Sequence, residues 1–373
     1  MKIFLITIED LSQSPGVRKK IEGQYKAFRN YGNETYLLYN NDNYLYLKDS
    51  LSTTLKITRI SNYFQVLLKF YKYSYNIIKK TDADCVYMRA PFNEYVFLKF
   101  VRKLKENGVK IIIEFPTYPY DEEFKYKSFF RKRALTIDKI FRKRLIKYVD
   151  FAVTYTDYEE IFGIPAIRIE NGIDITQVQV RHPKPDPDKF ILLAIANVSI
   201  WHGYDRLIEG MNIYYQNENI LPVHLYIVGE GPEINNLKKL VVKYKLSEKV
   251  IFFGKKEPDE INLLYDISNI GIGSIGMHRI GLKDAATLKT REYCSNGIPF
   301  IIGYDDIDFN IEFKYVMKVT TDDKPIDILS IISFFDKIRN EEYIVGMRNY
   351  TERYLTWEAK LKPVLQKLHL IEK

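Results

Sequence analysis

Short unbroken apolar runs recur along the first half of the chain, each followed by a longer stretch whose apolar positions return every three or four residues. The runs KIFLITI (2–8), TYLLYN (35–40), DCVYMRA (84–90), VKIIIEF (109–115) and FAVTYT (151–156) read as strands. The stretches at about 17–31, 62–80, 93–107 and 121–148 read as helices; Val17, Ile21, Tyr25 and Phe28 make a core-facing stripe in the first. Strands that are apolar throughout are buried on both faces, and their alternation with helices predicts a parallel sheet covered on each side. The segment RHPKPDPDKF (181–190) carries three prolines among charges, cannot join a sheet interior, and predicts a linker. After it the pattern restarts, with strand-like runs at 190–197, 223–231, 249–256, 269–275 and 298–304. Helices are expected near 203–217, 232–245 and 258–267, and the tail from 326 onward is helical. The pattern therefore predicts an α/β protein of two doubly wound domains facing across a cleft.

A length of 373 residues fits two cores rather than one. The N-terminal run ends at Glu9 and Asp10, too soon for a signal segment, and no window approaches the ~20 apolar residues of a membrane span. Cys85 and Cys294 lack metal-ligand spacing and fit buried thiols in a reducing compartment, so a cytoplasmic location is expected. The net charge of +8 is concentrated: ten basic residues from Lys125 to Lys147 face one acid, Asp138, with Phe124, Tyr126, Phe129 and Phe130 at the front. A basic helix with aromatics suits an anionic membrane surface, where each cation contributes about 1 kcal/mol; a solvated helix face is the other reading. Nucleic acid is not expected, because zinc-finger spacing, an RNP-like sequence and basic-zipper heptads are all missing.

In doubly wound sheets, ligands sit at the carboxyl ends of the strands. Glycine and polar residues punctuate those ends here: SQSPGVRK (12–19), EFPTYPYD (114–121) and ENGID (170–174) before the proline segment, and ANVSIWHG (196–203), GEGPE (229–233) and RIGLKDAATLKTREYCSNGIPFI (279–301) after it. Glycine admits close approach of a ligand to backbone, and a following helix offers free N–H groups to phosphate. Each loop alone is a weak signal. Six in order, three on either side of the linker, is a strong one.

With these motifs in place the chain resembles the retaining glycosyltransferases of family 4 and their two-domain GT-B architecture, nearly end to end. SPGVRKKIEGQ resembles the family's first glycine loop, RIENGID its segment before the interdomain linker, and YLTWEAKLKPVLQKL its closing helix, which returns to the N-terminal domain. The resemblance implies an acceptor-binding Rossmann-like domain over 1–182, joined by the helix at about 356–373, and a nucleotide-sugar-binding one over 183–355. It implies transfer from a nucleotide-diphospho-sugar, with retention, without a cofactor or obligatory metal, in polysaccharide biosynthesis. The acceptor would be a glycan, lipid-linked if the 121–148 helix holds the protein on the inner face of the membrane.

The family's paired glutamates correspond to Asp284 and Glu292. The resemblance gives Glu292 the ribose hydroxyls, Asp284 the transferred sugar, the amides of Thr287 and Leu288 the diphosphate, and Gly16 and Gly229 the close turns beside the donor. Read alone, Asp284 equally starts a helix and Glu292 pairs with Lys289 one turn earlier. Where the family carries an arginine and a lysine for the diphosphate, this chain has Asn197 and His202. The N-terminal loop that often holds a histidine instead offers Thr117, Tyr118 and Tyr120, with Tyr118 the catalytic candidate. A permanent cation is then missing, and Lys289, helped by Arg279, is expected to supply it. YDDID (304–308) contains an Asp-x-Asp, but its place after a late strand reads as an acidic loop rather than a metal site. The replaced cations and absent histidine also suit a catalytically inactive partner subunit, and transfer to a soluble acceptor is a further alternative.

Overall fold

The structure is a computed structural model that describes the chain apart from residues 61, 91–93, 122–128, 218–220, 310, 311, 340, 341 and 369–373, and the side chains of 63, 129–132 and 177. It divides into two compact units: Met1–Gly172 with Trp357–Lys373, and Ile173–Thr356. Lys125 and Lys127 of the basic run lie outside the described residues.

Unit 1 runs β1 (Lys2–Asp10), α1 (Pro15–Asn30), β2 (Glu34–Asn41), β3 (Tyr44–Lys48), β4 (Thr54–Arg59), α2 (Tyr63–Gln65), a π-turn (Val66–Phe70), α3 (Tyr71–Thr81), β5 (Cys85–Arg89) and α4 (Tyr95–Glu106). It continues with β6 (Lys110–Phe115), α5 (Phe129–Phe141), a 3-10 turn (Arg142–Lys147), β7 (Phe151–Thr154), β8 (Glu160–Ile161) and β9 (Ile164–Arg168). The sheet order is β4-β3-β2-β1-β5-β6-β7-β9-β8, parallel except at β3, β4 and β8. Alternate residues of β1 feed opposite cores: Phe4 and Ile6 meet α3 and α4, while Ile3 and Leu5 meet α1 and the C-terminal helix. This is why the strand is apolar at successive positions.

Unit 2 contains β10 (Phe190–Ile195), α6 (Tyr204–Tyr214), β11 (Val223–Val228), α7 (Ile234–Lys243), β12 (Val250–Gly254), α8 (Pro258–Ile267) and β13 (Ile270–Ile272). It then forms α9 (Leu288–Asn296), β14 (Phe300–Ile302), β15 (Val316–Lys318), α10 (Ile328–Ile338) and α11 (Tyr343–Tyr350). Its six strands are all parallel, in the order β12-β11-β10-β13-β14-β15. The last helix, α12 (Trp357–Lys367), belongs to unit 1. It is anchored by the Trp357 ring, which lies against Gly23 and Gly172 so closely that a Cβ at either glycine would overlap it.

The boundary differs from the expected 182/183. The division falls at Gly172 and Ile173, and the proline segment lies along unit 2. Arg181 is buried there, donating to the Tyr265 carbonyl at 3.0 Å and the Tyr343 hydroxyl at 2.6 Å. Proline excluded the segment from the sheets, but one buried guanidinium ties it to a unit all the same. The basic stretch is also shorter as α-helix than expected, since α5 gives way to the 3-10 turn at Arg142. Among the described residues, no helix is long and apolar enough to cross a membrane.

Candidate functional site

In unit 2, chain order reverses direction across the sheet between β10 and β13, and the carboxyl ends of these strands open the crevice where ligands bind in such sheets. Four loops converge there. The Ile275 amide donates to the His202 carbonyl and the Gly276 amide to that of Trp201, each at 3.1 Å, locking the loop after β13 to the loop after β10. Gly203, at φ +67°, and Gly276 meet back to back: a Cβ on Gly203 would overlap Gly276, and one on Gly276 would be tighter than ordinary contact. On the other flank Gly229, at φ +113°, presses on the Ala196 carbonyl, so the GEGPE turn is built into the β10 loop. On the far side, Asp284 pairs with Asp305 as an isolated parallel bridge, with Ala285 donating to the Asp305 carbonyl at 2.9 Å. That bridge fixes the backbone of Asp284 and leaves its side chain exposed.

Helix α9 starts in the middle of this ring. Thr287 is its N-cap, with extended backbone and no side-chain cap, so the first amides, beginning at Leu288, face outward without a capping group. Helix amides and the helix dipole make such an end a seat for negative charge. Lys289 lies one residue in. Its Nζ donates to the Tyr204 hydroxyl at 3.1 Å and makes no ion pair among the described residues. Burial pulls its ammonium down to about 7, an effect partly offset by the Glu292 carboxylate on the same helix face.

His202 stands beside it, between the Trp201 and Tyr204 rings. Its Nδ1 accepts from the Ser199 amide at 3.0 Å, which puts the ring proton on Nε2. Burial, and secondarily the Lys289 charge, hold its pKa at about 3, so the ring is a neutral donor at any physiological pH. The arrangement thus gathers amides, one titratable cation and one neutral N–H around a single point.

The structure brings Thr287, Leu288, Lys289 and His202 together, places Asn197 and Gly229 on the adjoining loops, and sets Glu292 half-buried one turn along α9. Gly16, in the first turn of α1, and Tyr118, after β6, belong to unit 1. The expectation that Arg279 reaches inward is corrected. Its guanidinium grips Asp205 with two bonds of 2.8 and 2.6 Å and Asp323 with a third of 2.7 Å. These carboxylates lie 74 and 44 residues away in sequence, and they hold the arginine in the loop's own scaffold. Tyr204 was missed, because nothing in a tyrosine at the start of a helix announces that its hydroxyl will receive a lysine. Asp306 and Asp308, the acidic loop, are engaged by the fully buried Arg291.

The family model described as glycosyl transferases group 1 matches residues 176–303, which include the loops after β10, β11 and β13 and the start of α9. Solved structures share the architecture over almost the full chain. A glycosyltransferase from Rickettsia africae is 16% identical, with a TM-score of 0.64 over 98% of this chain and 97% of that one. Anabaena HepE in complex with UDP is 11% identical, with a TM-score of 0.64 over the whole of both chains. The lipopolysaccharide outer core galactosyltransferase WaaB is 15% identical, with a TM-score of 0.58 over 98% of this chain and 100% of that one. The fold is GT-B. No curated protein sequence matches the chain. The GT-B architecture, with the group 1 match on its second unit, supports a glycosyltransferase.

Proposed function

We propose that the protein transfers a sugar from a nucleotide-diphospho-sugar, bound by unit 2, to a glycan acceptor bound by unit 1, with retention of anomeric configuration. The observation that carries this reading is Lys289: a lysine drawn out of water, without an ion pair among the described residues, beside an uncapped helix start at the sheet's switch point. An anion there completes its environment, and a diphosphate supplies one with several oxygens for the amides. In this reading the charge on the departing diphosphate is met by Lys289, the Nε2–H of His202, the Asn197 side chain and the α9 amides, rather than by a resident metal ion. Glu292 accepts the ribose hydroxyls, Asp284 touches the hydroxyls of the transferred sugar, and Gly229 lets the backbone close on the donor. Retention rests on the likeness of 279–301 to the retaining family 4. In the same reading Gly16 of unit 1 makes a close turn beside the donor, and Tyr118 of unit 1 is the catalytic candidate.

UDP and the donor UDP-glucose are the first ligands to test, since a GT-B neighbour holds each of them. At a hundred times its dissociation constant a ligand adds about 2.7 kcal/mol of stability, visible as a thermal shift. Glu292→Ala should keep its fold and lose most of that shift, because two hydrogen bonds to a carboxylate disappear. An undiminished shift in the variant removes Glu292 from the ribose.

Membrane placement of the acceptor rests on α5 and the 3-10 turn after it, where Ile137, Ile140 and Ile146 are exposed among Lys139, Lys143, Arg144 and Lys147. Sedimentation with anionic vesicles should fall as salt shortens the Debye length. Vesicle binding that ignores salt, or none, moves the acceptor into solution. The diversion of Arg279 favours a second reading, a nucleotide-binding partner subunit without turnover. Release of UDP from UDP-sugar in the presence of acceptor separates the two.

A further inference from the structure

At the carboxyl edge of the unit 1 sheet, Phe115 of β6, Thr154 of β7 and Arg168 of β9 stand side by side in register. The segments that follow bring aromatic and ionic side chains to one place. The Tyr118 ring is wedged between two others: it meets Tyr158 edge to face at 4.9 Å between centroids, and Phe162 likewise at 5.2 Å. Phe162 is itself braced by Phe115 on one side and by the Arg142 guanidinium, 4.4 Å from its centroid, on the other. Tyr158 is the outermost ring of this stack and is 50% exposed. Beside it Asp157, nearly fully exposed, is ion-paired with Arg168, whose guanidinium also holds Glu170 at 2.7 Å.

Tyr118 and Phe162 pack against the core, whereas Tyr158 does not join it. A tyrosine kept half in water at the end of a braced stack, with a hydroxyl that bonds nothing among the described residues, gains little from the core. Its chemistry fits a sugar ring. The C–H face of a pyranose is apolar and slightly positive, which suits the negative face of a tyrosine, while its equatorial hydroxyls donate to a carboxylate and accept from a guanidinium. Charge narrows the choice further. From Asp157 to Glu170 there are four acids, Asp157, Glu159, Glu160 and Glu170, against the single base Arg168, and the Arg142 guanidinium behind Phe162 is already paired with Asp121 and Asp138. A phosphate or a carboxylate would be repelled there, so the ligand is uncharged or cationic.

We propose that Tyr158, braced by Tyr118 and flanked by the Asp157–Arg168 pair, is a platform on which a neutral pyranose of the acceptor stacks. The acceptor is then a saccharide ending in an uncharged sugar, rather than a bare lipid phosphate. This deepens the transferase reading given above and rests on it. The test uses methyl β-glucopyranoside, methyl β-galactopyranoside and methyl N-acetyl-β-glucosaminide at millimolar concentration, with saturation-transfer NMR on the full chain and UDP thermal shift in parallel. At least one glycoside should receive saturation on one C–H face and bind about tenfold more weakly, or worse, to Tyr158→Ala, while Tyr158→Trp keeps it. The matching methyl glucuronide should bind more weakly than the neutral sugar. A wild-type protein that is shifted by UDP but takes up no glycoside overturns the platform and leaves the donor reading standing. So does glycoside binding that Tyr158→Ala leaves unchanged. Absence of a UDP shift would overturn the donor reading instead, and the glycoside comparison would still judge the platform.

Discussion

Replacing Arg291 with methionine should destabilise the protein by about 3–5 kcal/mol, the range for a buried ion pair that loses one partner. Arg291 is fully buried in α9 and forms two bonds to Asp306, one of them 2.8 Å, and another to Asp308. Its Nη1 also donates to Thr290 at 3.0 Å, and its guanidinium lies 5.2 Å from the Phe309 ring centroid. Burial already raises the Asp306 carboxyl against the pull of the arginine. Without the arginine, that carboxyl must either stay charged in a dry site or take up a proton. Its folded pKa would then stand further above its unfolded value, so the folded state would bind more protons than the unfolded one. The linkage sign follows: the variant's deficit should be smaller near pH 5 and grow towards pH 7. Urea unfolding at the two pH values measures it. Adding Asp306→Asn should recover part of the loss, since it removes the charge left behind. A deficit below about 1 kcal/mol, or one that does not change with pH, would mean the pair is not what holds this loop. The loss should reach the donor site too, because Asp305 is the residue that pairs with Asp284.

Why the sequence could indicate the start of α9 yet misjudge Arg279 is a matter of range. Strands such as β1 and β10 are legible because burial on both faces leaves an apolar residue at every step. Hairpin β3–β4 was not anticipated: β4 is an edge strand, exposed for most of its length, so it needs no apolar run. Two-residue β8 and three-residue β15 are too short to leave any pattern. Lys289, Thr287 and Leu288 stand together because they share the start of one helix, which is a local feature. Arg279 was assessed by the same local logic, yet its partners come from other loops. Nothing in RIGLKDAATLKTRE shows that Asp205 will claim one arginine and Asp306 the other. Tyr118 was singled out as a polar group near the reacting sugar, whereas its ring is the wedge of an aromatic stack whose outer member, Tyr158, drew no notice.

The largest functional effect should come from Lys289. In the proposed site it is the one cation aimed at the diphosphate, and its pKa of about 7 means that near neutrality a substantial fraction of the unliganded protein lacks that charge. The groups around it do not compensate. His202 is neutral above about pH 3, burial holds the Tyr204 phenol protonated, Arg279 is bound to Asp205 and Asp323, and Arg291 to Asp306 and Asp308. Glu292 alone favours the charged form. An incoming diphosphate would favour it too, so donor binding should take up a proton above pH 7. The affinity for UDP should therefore fall as pH rises from 7 to 9, by up to about tenfold per pH unit. Calorimetry in buffers of different ionisation enthalpy counts the proton directly. In the free protein the sign is opposite: the folded pKa lies below the unfolded value, so raising the pH above 7 relieves the cost of burying the charge and adds stability. Lys289→Met should remove both slopes, and Lys289→Arg should keep the affinity while losing its pH dependence. Turnover should fall by about 10²–10³ in the methionine variant with a smaller change in KM, because the leaving diphosphate gains charge in the transition state. If Lys289→Met turns over within about twofold of the wild type, or keeps the wild-type pH slope for UDP, another group carries the diphosphate and the assignment fails.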